Sequence, residues 1–340
     1  EWEERMCIIS GSYQSIDSKP PRTTVELWCR SQAGHSVVLL VNGLRPYFDI
    51  APRGEDGPEK RVDLDSVLSI PEVVEVEGPV TKWTTRGEKR HWRVYADQPY
   101  SVRRLRKKLE DWQVTSADIP FQNRLMLDLD LGPHINASGS VLWASERAPE
   151  EAKNISTTDK HAAEIAIAEA GGAGIYPVDM IVSCDLEGLS RTDPFPAPFV
   201  TFSFDLETSI STNRILCAAA VVDRGGERSE HEFRGEEREI MEGLTSLVRE
   251  SDPDFITGYN IDNFDLPRME ERAEVICPRP KYNRSPLFGW GRVPMNEREG
   301  KRIFPTRQQN RVWRIPGRIP MDAWWQARQT LRPQRESLRY

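Results

Sequence analysis

Five cysteines are scattered through 340 residues, and no two of them form a C-x-x-C pair. That excludes a zinc ribbon and a disulfide framework, and it reads Cys7, Cys29, Cys184, Cys217 and Cys277 as reduced thiols of an intracellular protein. The five histidines show no metal-ligand spacing. No G-x-S-x-G and no G-x-x-x-x-G-K-[ST] occurs, so a hydrolase triad and a P-loop have no support. No apolar run approaches the roughly 18 residues of a membrane span, and the first ten residues do not read as a signal peptide. What remains is a mixed-charge chain long enough for two or three cores.

Two stretches carry chemistry. Phe199–Glu207 reads FVTFSFDLE, with Phe202, Phe204 and Leu206 alternating with Thr201, Ser203, Asp205 and Glu207. A period of two predicts a strand with one apolar face. Asp205 and Glu207 then share the other face, about 7 Å apart along the strand. Such a pair repels, and it holds a proton unless a cation sits between the two groups. Residues 252–267 read DPDFITGYNIDNFDLP. The pattern predicts a short strand over 254–257, a turn at Gly258, Tyr259 and Asn260, and a helix over 263–275. Asp265 falls in the first turn of that helix, where a carboxylate is favoured. Packed beside the first strand, it makes a third carboxylate in a site suited to divalent cations. A second D-x-E, Asp185–Glu187, follows the apolar run 180–184, so strand context alone does not separate the two pairs.

The second stretch separates them. Tyr259-Asn260-x-x-x-Phe264-Asp265-x-Pro267 and Asp205-Leu-Glu207 together resemble the second and first exonuclease motifs of family B DNA polymerases of the archaeal type. Ala117-Asp-Ile-Pro-Phe-x-x-Arg124-x-Met-Leu-Asp128 resembles the segment that leaves the N-terminal domain of that family. Gly317-Arg-Ile-Pro-Met-Asp322 resembles the strand that follows the second motif, where the family gives the aspartate a structural role.

Domain organisation follows from pattern and resemblance together. Residues 6–50 are β-rich. From Tyr47 to Thr115 the pattern reads β-α-β-β-α-β, the split βαβ arrangement. Its second helix carries Arg103, Arg104, Arg106, Lys107 and Lys108, either a solvated face or a phosphate contact. The expected fold class is α/β. A βαββαβ-containing N-terminal, template-binding domain (1–130) precedes a connecting segment with an insertion (131–198). A ribonuclease-H-like 3′–5′ exonuclease domain with a mixed sheet (199–340) follows. Between Arg279 and Arg318 there are eleven basic and two acidic residues, interleaved with Tyr282, Phe288, Trp290, Phe304 and Trp313, in a chain of net charge −7. Cations that track phosphates and rings that stack on bases suit a single-stranded nucleic acid channel.

The resemblance implies that Asp205, Glu207 and Asp265 are the catalytic carboxylates and hold two Mg²⁺ or Mn²⁺ ions. DNA contacts fall to Asn260, Tyr259, Phe264, Arg302, Arg307, Arg311 and Trp313. It implies single-stranded and primer–template DNA as partners, with palm, fingers and thumb domains in the same or a second chain, a sliding clamp, and no membrane. No Tyr-x-x-x-Asp, the third exonuclease motif, follows the second motif before Tyr340. These 340 residues are therefore expected to be the proofreading portion of a larger polymerase, weak or inactive alone. The alternatives are a free-standing exonuclease and a non-catalytic DNA-binding or assembly module of the same fold.

Overall fold

A computed structural model of the chain describes residues 2–16, 18, 21–53, 63–85, 87–278, 284–295, 305–307 and 313–332. The first half runs β1 (Trp2–Ile16), β2 (Arg22–Ser31), β3 (Ser36–Val41), β4 (Tyr47–Pro52), α1 (Leu64–Leu68), β5 (Val73–Thr84), β6 (Gly87–Ala96), α2 (Pro99–Lys108), β7 (Trp112–Thr115) and α3 (Phe121–Asp128). There follow β8 (His134–Ala144), α4 (Glu150–Ile155), α5 (Lys160–Glu169), β9 (Met180–Cys184), β10 (Leu189–Arg191), β11 (Val200–Thr208), β12 (Ile215–Arg224) and β13 (Glu227–Arg234). The last part holds α6 (Glu237–Ser251), β14 (Phe255–Gly258), α7 (Asp265–Ile276), β15 (Thr306–Arg307), β16 (Trp313–Arg314), β17 (Ile319–Asp322) and α8 (Ala323–Thr330). Among the described residues no helix is long and apolar enough to cross a membrane.

Three sheets organise these elements. In the first, the order is β1-β2-β3-β9-β8-β10, and β1 also pairs with β8. That pairing closes five of the strands into a ring around Met6, Leu27, Leu39, Ile135 and Val182. The segment expected as a connection thus builds β8, β9 and β10 of this sheet. The strand β8, HINASGSVLWA, interrupts its apolar positions with Asn, Ser and Gly, so its alternation is faint in the sequence. Residues 145–159, expected as an exposed loop, contain α4, which buries Ala152.

The second sheet has the order β5-β6-β4-β7 with every pair antiparallel. Val67 of α1 and Val102 and Leu105 of α2 pack on Phe48, Ile50 and Val94. The third sheet has the order β13-β12-β11-β14-β17. β11 lies at its centre, antiparallel to β12 and parallel to β14. Phe202, Phe204 and Leu206 face Ile240, Leu244 and Val248 of α6 in one core. α6 is held at its start by a capping box of Glu236 and Glu239, and it ends at Asp252, whose φ is +47°. β13, ERSEHEFR, has no apolar alternation because it is an exposed edge strand; Phe233 alone reaches the core.

A buried ionic cluster ties the first sheet to the third. Arg30 of β2 donates to both oxygens of Asp254 at 2.8 and 2.9 Å. Arg292 donates to Asp252 at 2.7 Å and to Asp254 at 2.9 Å, and Arg318 donates to Asp252 at 2.8 Å. Asp254 also accepts from the Val200 amide at 2.9 Å, at the head of β11. All five side chains are at most 5% exposed. The two guanidiniums nearest Asp252 hold its carboxyl far below the usual range against the cost of burial. Gly317 allows the close approach that brings Arg318 in. Its φ is +78°, and a Cβ there would stand 2.6 Å from Arg292 and 2.9 Å from the Trp28 ring.

Candidate active site

β11 presents its carboxylates as the period of two requires. Leu206 is buried between Asp205 and Glu207, which are both exposed on the opposite face. The third carboxylate arrives from β14. Gly258 ends that strand beside β11, where a Cβ would stand 2.5 Å from the Phe204 carbonyl oxygen. The chain then turns through Asn260, whose φ is +68°. Asp322 pins this turn. Its Oδ1 accepts from the Asn260 amide at 2.7 Å and its Oδ2 from the Asp262 amide at 3.1 Å. It also caps α8 by accepting from the Trp324 amide at 2.9 Å. The structural role expected for Asp322 is therefore visible in its contacts.

The turn delivers Asp265 to the first position of α7, 1% exposed. Its Oδ1 accepts from the Leu206 amide at 3.1 Å, so the carboxyl is fastened to the backbone between Asp205 and Glu207. Burial pushes its pKa up to about 7, helped by the charges of Asp205 and Asp322 and opposed by the amide bond. The Asp205 carboxyl is also raised, first by desolvation and then by Glu207. Carboxylates that make each other costly to ionise are relieved by a divalent cation. The donor set is all oxygen, which suits Mg²⁺ or Mn²⁺. Among the described residues no three such side chains already stand in ligand geometry. The carboxylates share one end of the sheet, and Asp205 and Glu207 are exposed side chains with rotamers to choose.

Asp185–Glu187 has a different setting. Asp185 precedes a short 3₁₀ turn, Leu186–Gly188, between β9 and β10 of the first sheet, so the two side chains do not lie on a strand face.

The residues expected at DNA divide into three groups. Phe264 is 38% exposed beside Asp265, with the Arg268 guanidinium 5.8 Å from its ring centroid. Tyr259 and Asn260 are half-buried in the pinned turn, and Asn260 Oδ1 accepts from Asn263 Nδ2 at 3.1 Å. Arg302 and Arg311 lie outside the described residues, and Arg307 is described only as backbone in β15. Trp313 corrects the reading. It is 2% exposed, and its indole N–H donates to the Asp262 carbonyl at 2.9 Å. It anchors the turn from inside and has no free face for a base.

The basic window needs the same correction. Trp290 is fully buried and donates to Thr245 Oγ1 at 2.7 Å. Arg292 and Arg318 are spent in the ionic cluster. Sequence reasoning missed that cluster because its carboxylates, Asp252 and Asp254, precede the window, and Arg30 is distant in the chain. The signal available was the D-P-D that separates α6 from β14.

Comparisons with known proteins bear on the same residues. Residues 232–340 match the model of the DNA polymerase family B exonuclease domain, a span that contains Asp265 and begins after Glu207. The chain is 27% identical over 279 residues to DNA polymerase 2 of Aeropyrum pernix, covering 79% of this chain and 32% of that protein. It is 26% identical over 271 residues to the DNA polymerase of Archaeoglobus fulgidus, covering 78% of this chain and 30% of that protein. The chain is related to the family B DNA polymerases. The bovine DNA polymerase delta catalytic subunit is 26% identical over 349 residues, covering 85% of this chain and 29% of that protein. The family B polymerase of Pyrobaculum calidifontis superposes with a TM-score of 0.62 at 21% identity, over 94% of this chain and 36% of that one, and so shares the fold. The chain spans about a third of the length of the curated polymerases it matches.

Proposed function

We propose that this chain is the N-terminal and proofreading-exonuclease portion of a family B DNA polymerase, binding DNA and removing 3′-terminal nucleotides. The observation that carries the reading is the bond from the Leu206 amide to Asp265, which brings the second motif onto the strand of the first. The third sheet, three antiparallel strands followed by two parallel ones, supports a ribonuclease-H-like assignment for residues 199–340. The β4-α1-β5-β6-α2-β7 order supports a split βαβ module within a template-binding domain over residues 1–130.

Asp205, Glu207 and Asp265 would hold the cations. When bound, divalent ions activate a water and offset the charge that develops on the phosphodiester. The chain's own residues do the rest. The Leu206 amide fixes Asp265 Oδ1, and burial lets that carboxyl hold a proton when no cation is present. Asp322 and Trp313 hold the turn that carries Asn260 and Phe264, so these two meet the strand end from one side. The product is a nucleoside 5′-monophosphate. Primer–template DNA and the remaining polymerase domains are the expected partners, with a sliding clamp beyond them.

The test is release of mononucleotides from a 3′-labelled single strand in Mg²⁺. Slow release that D205N abolishes is expected. Release unaffected by D205N would contradict the site, and binding of the strand without release would favour a non-catalytic module.

A further inference from the structure

α2 buries Ser101, Val102 and Leu105 and turns five cations to solvent. Lys108 is ion-paired with Glu72 at 2.8 Å, and the Arg104 guanidinium lies 5.4 Å from the Tyr100 ring centroid. Arg103, Arg106 and Lys107 have no ion pair and no side-chain hydrogen bond among the described residues. Exposed arginines elsewhere do: Arg214, Arg228, Arg234 and Arg238 each stand beside a carboxylate. Acidic residues outnumber basic ones in this chain, 53 to 46, so three neighbouring cations without a counter-ion stand out.

Their spacing sharpens the point. Positions 103, 106 and 107 are i, i+3 and i+4, one stripe on the helix, where like charges destabilise it. The helix dipole favours cations in the last turn, which accounts for Arg106 and Lys107 but not for Arg103. The stripe also forms a wall of a cleft of about 970 Å³, which Arg53 and Arg124 line as well. Glu110 and Asp118 are the two acidic residues among those lining it. A concave wall of mostly one sign focuses potential and concentrates anions.

We propose that Arg103, Arg106 and Lys107 track the phosphates of a single-stranded polynucleotide. The placement rests on the nucleic-acid reading above and assigns the contact to a surface away from the carboxylate site. Tyr100, 46% exposed beside the stripe, offers a ring next to the cations, the pairing that single-strand binding uses. A lipid surface fits less well, because it needs an apolar face beside the basic one, and the apolar face of α2 is buried in the sheet.

The experiment is the salt dependence of binding of a fluorescent oligothymidylate to the full chain. R103A/R106A/K107A should make the slope of log K against log salt shallower by about 2, at about 0.7 per phosphate contact on a single strand. R214A/R228A/R234A should leave the slope unchanged, and Y100A should lower affinity on the order of tenfold with the slope kept. The substituted side chains are exposed, and circular dichroism checks that each variant is folded. An unchanged slope in the stripe variant, while the wild type binds, overturns this placement alone. A wild type that binds no oligothymidylate overturns the nucleic-acid reading with it. Loss confined to phosphatidylserine vesicles would move the stripe to a membrane surface and overturn the proposal.

Discussion

The backbone amide of Leu206 donates to Oδ1 of Asp265 at 3.1 Å, across 59 residues of sequence. One bond therefore sets the distance between the two motifs, and it separates the structural role of Asp265 from its charge. Asparagine keeps the acceptor and loses the charge, so D265N should melt no lower than the wild type at pH 8 without metal, while losing Mn²⁺ binding. Alanine leaves a buried N–H unpaired, so D265A should lose about 1–3 kcal/mol as well. Thermal melts with and without Mn²⁺ check both.

The same carboxyl makes the site pH-dependent. Its folded pKa, raised to about 7, exceeds the unfolded value, so the ionised form is disfavoured in the folded state. Without metal, stability from this group is full below pH 4 and is lost as pH rises from about 4 to 7. A cation favours the ionised form, so Mn²⁺ binding should release a proton near pH 6 and weaken as pH falls below 7. Calorimetry in buffers of different ionisation heat measures the proton count. A count of zero at pH 6 would contradict the account.

Close approach is the second requirement at the site. A methyl group at Gly258 would stand 2.5 Å from the Phe204 carbonyl oxygen and 2.4 Å from Ile261 Cγ2. G258A should push β14 and the turn away from β11, lowering metal affinity by about 10–100-fold, in the range of lost supporting contacts. Mn²⁺ affinity of G258A at a temperature where it remains folded is the check.

The carboxylate site was legible because its signals are local. Alternation placed Asp205 and Glu207 on one face, and Asp265 in a first helical turn needed only the neighbouring Pro267 and the apolar spacing of α7. The β4-to-β7 module was legible for the same reason, each element bounded by its own turn. What stayed hidden depends on contacts distant in the chain. Trp313 and Trp290 look like stacking residues beside arginines, and their burial is decided by Asp262 and Thr245. Arg292 and Arg318 look like surface charge, and their fate is decided by Asp252, Asp254 and Arg30. The β8 strand, rich in small polar residues, needed its partners to be seen.

The ionic cluster holds three guanidiniums and two carboxylates. Removing an anion worsens that imbalance and removing a cation relieves it. D254N should cost about 3–5 kcal/mol, the range for breaking a buried pair. R30M should cost less, although Arg30 makes the bidentate contact. Urea denaturation of both variants checks the order, and a larger loss in R30M would contradict it.

Isothermal titration with Mn²⁺ tests the central claim most directly. The wild type should bind the ion, and D205N and D265N should each weaken it at least about tenfold, as first-hand ligands must if loss of outer partners already costs that much. D185N/E187Q should bind as the wild type does. Equal affinity in D205N, D265N and the wild type, or a loss confined to D185N/E187Q, would contradict the assignment of the site to β11 and α7.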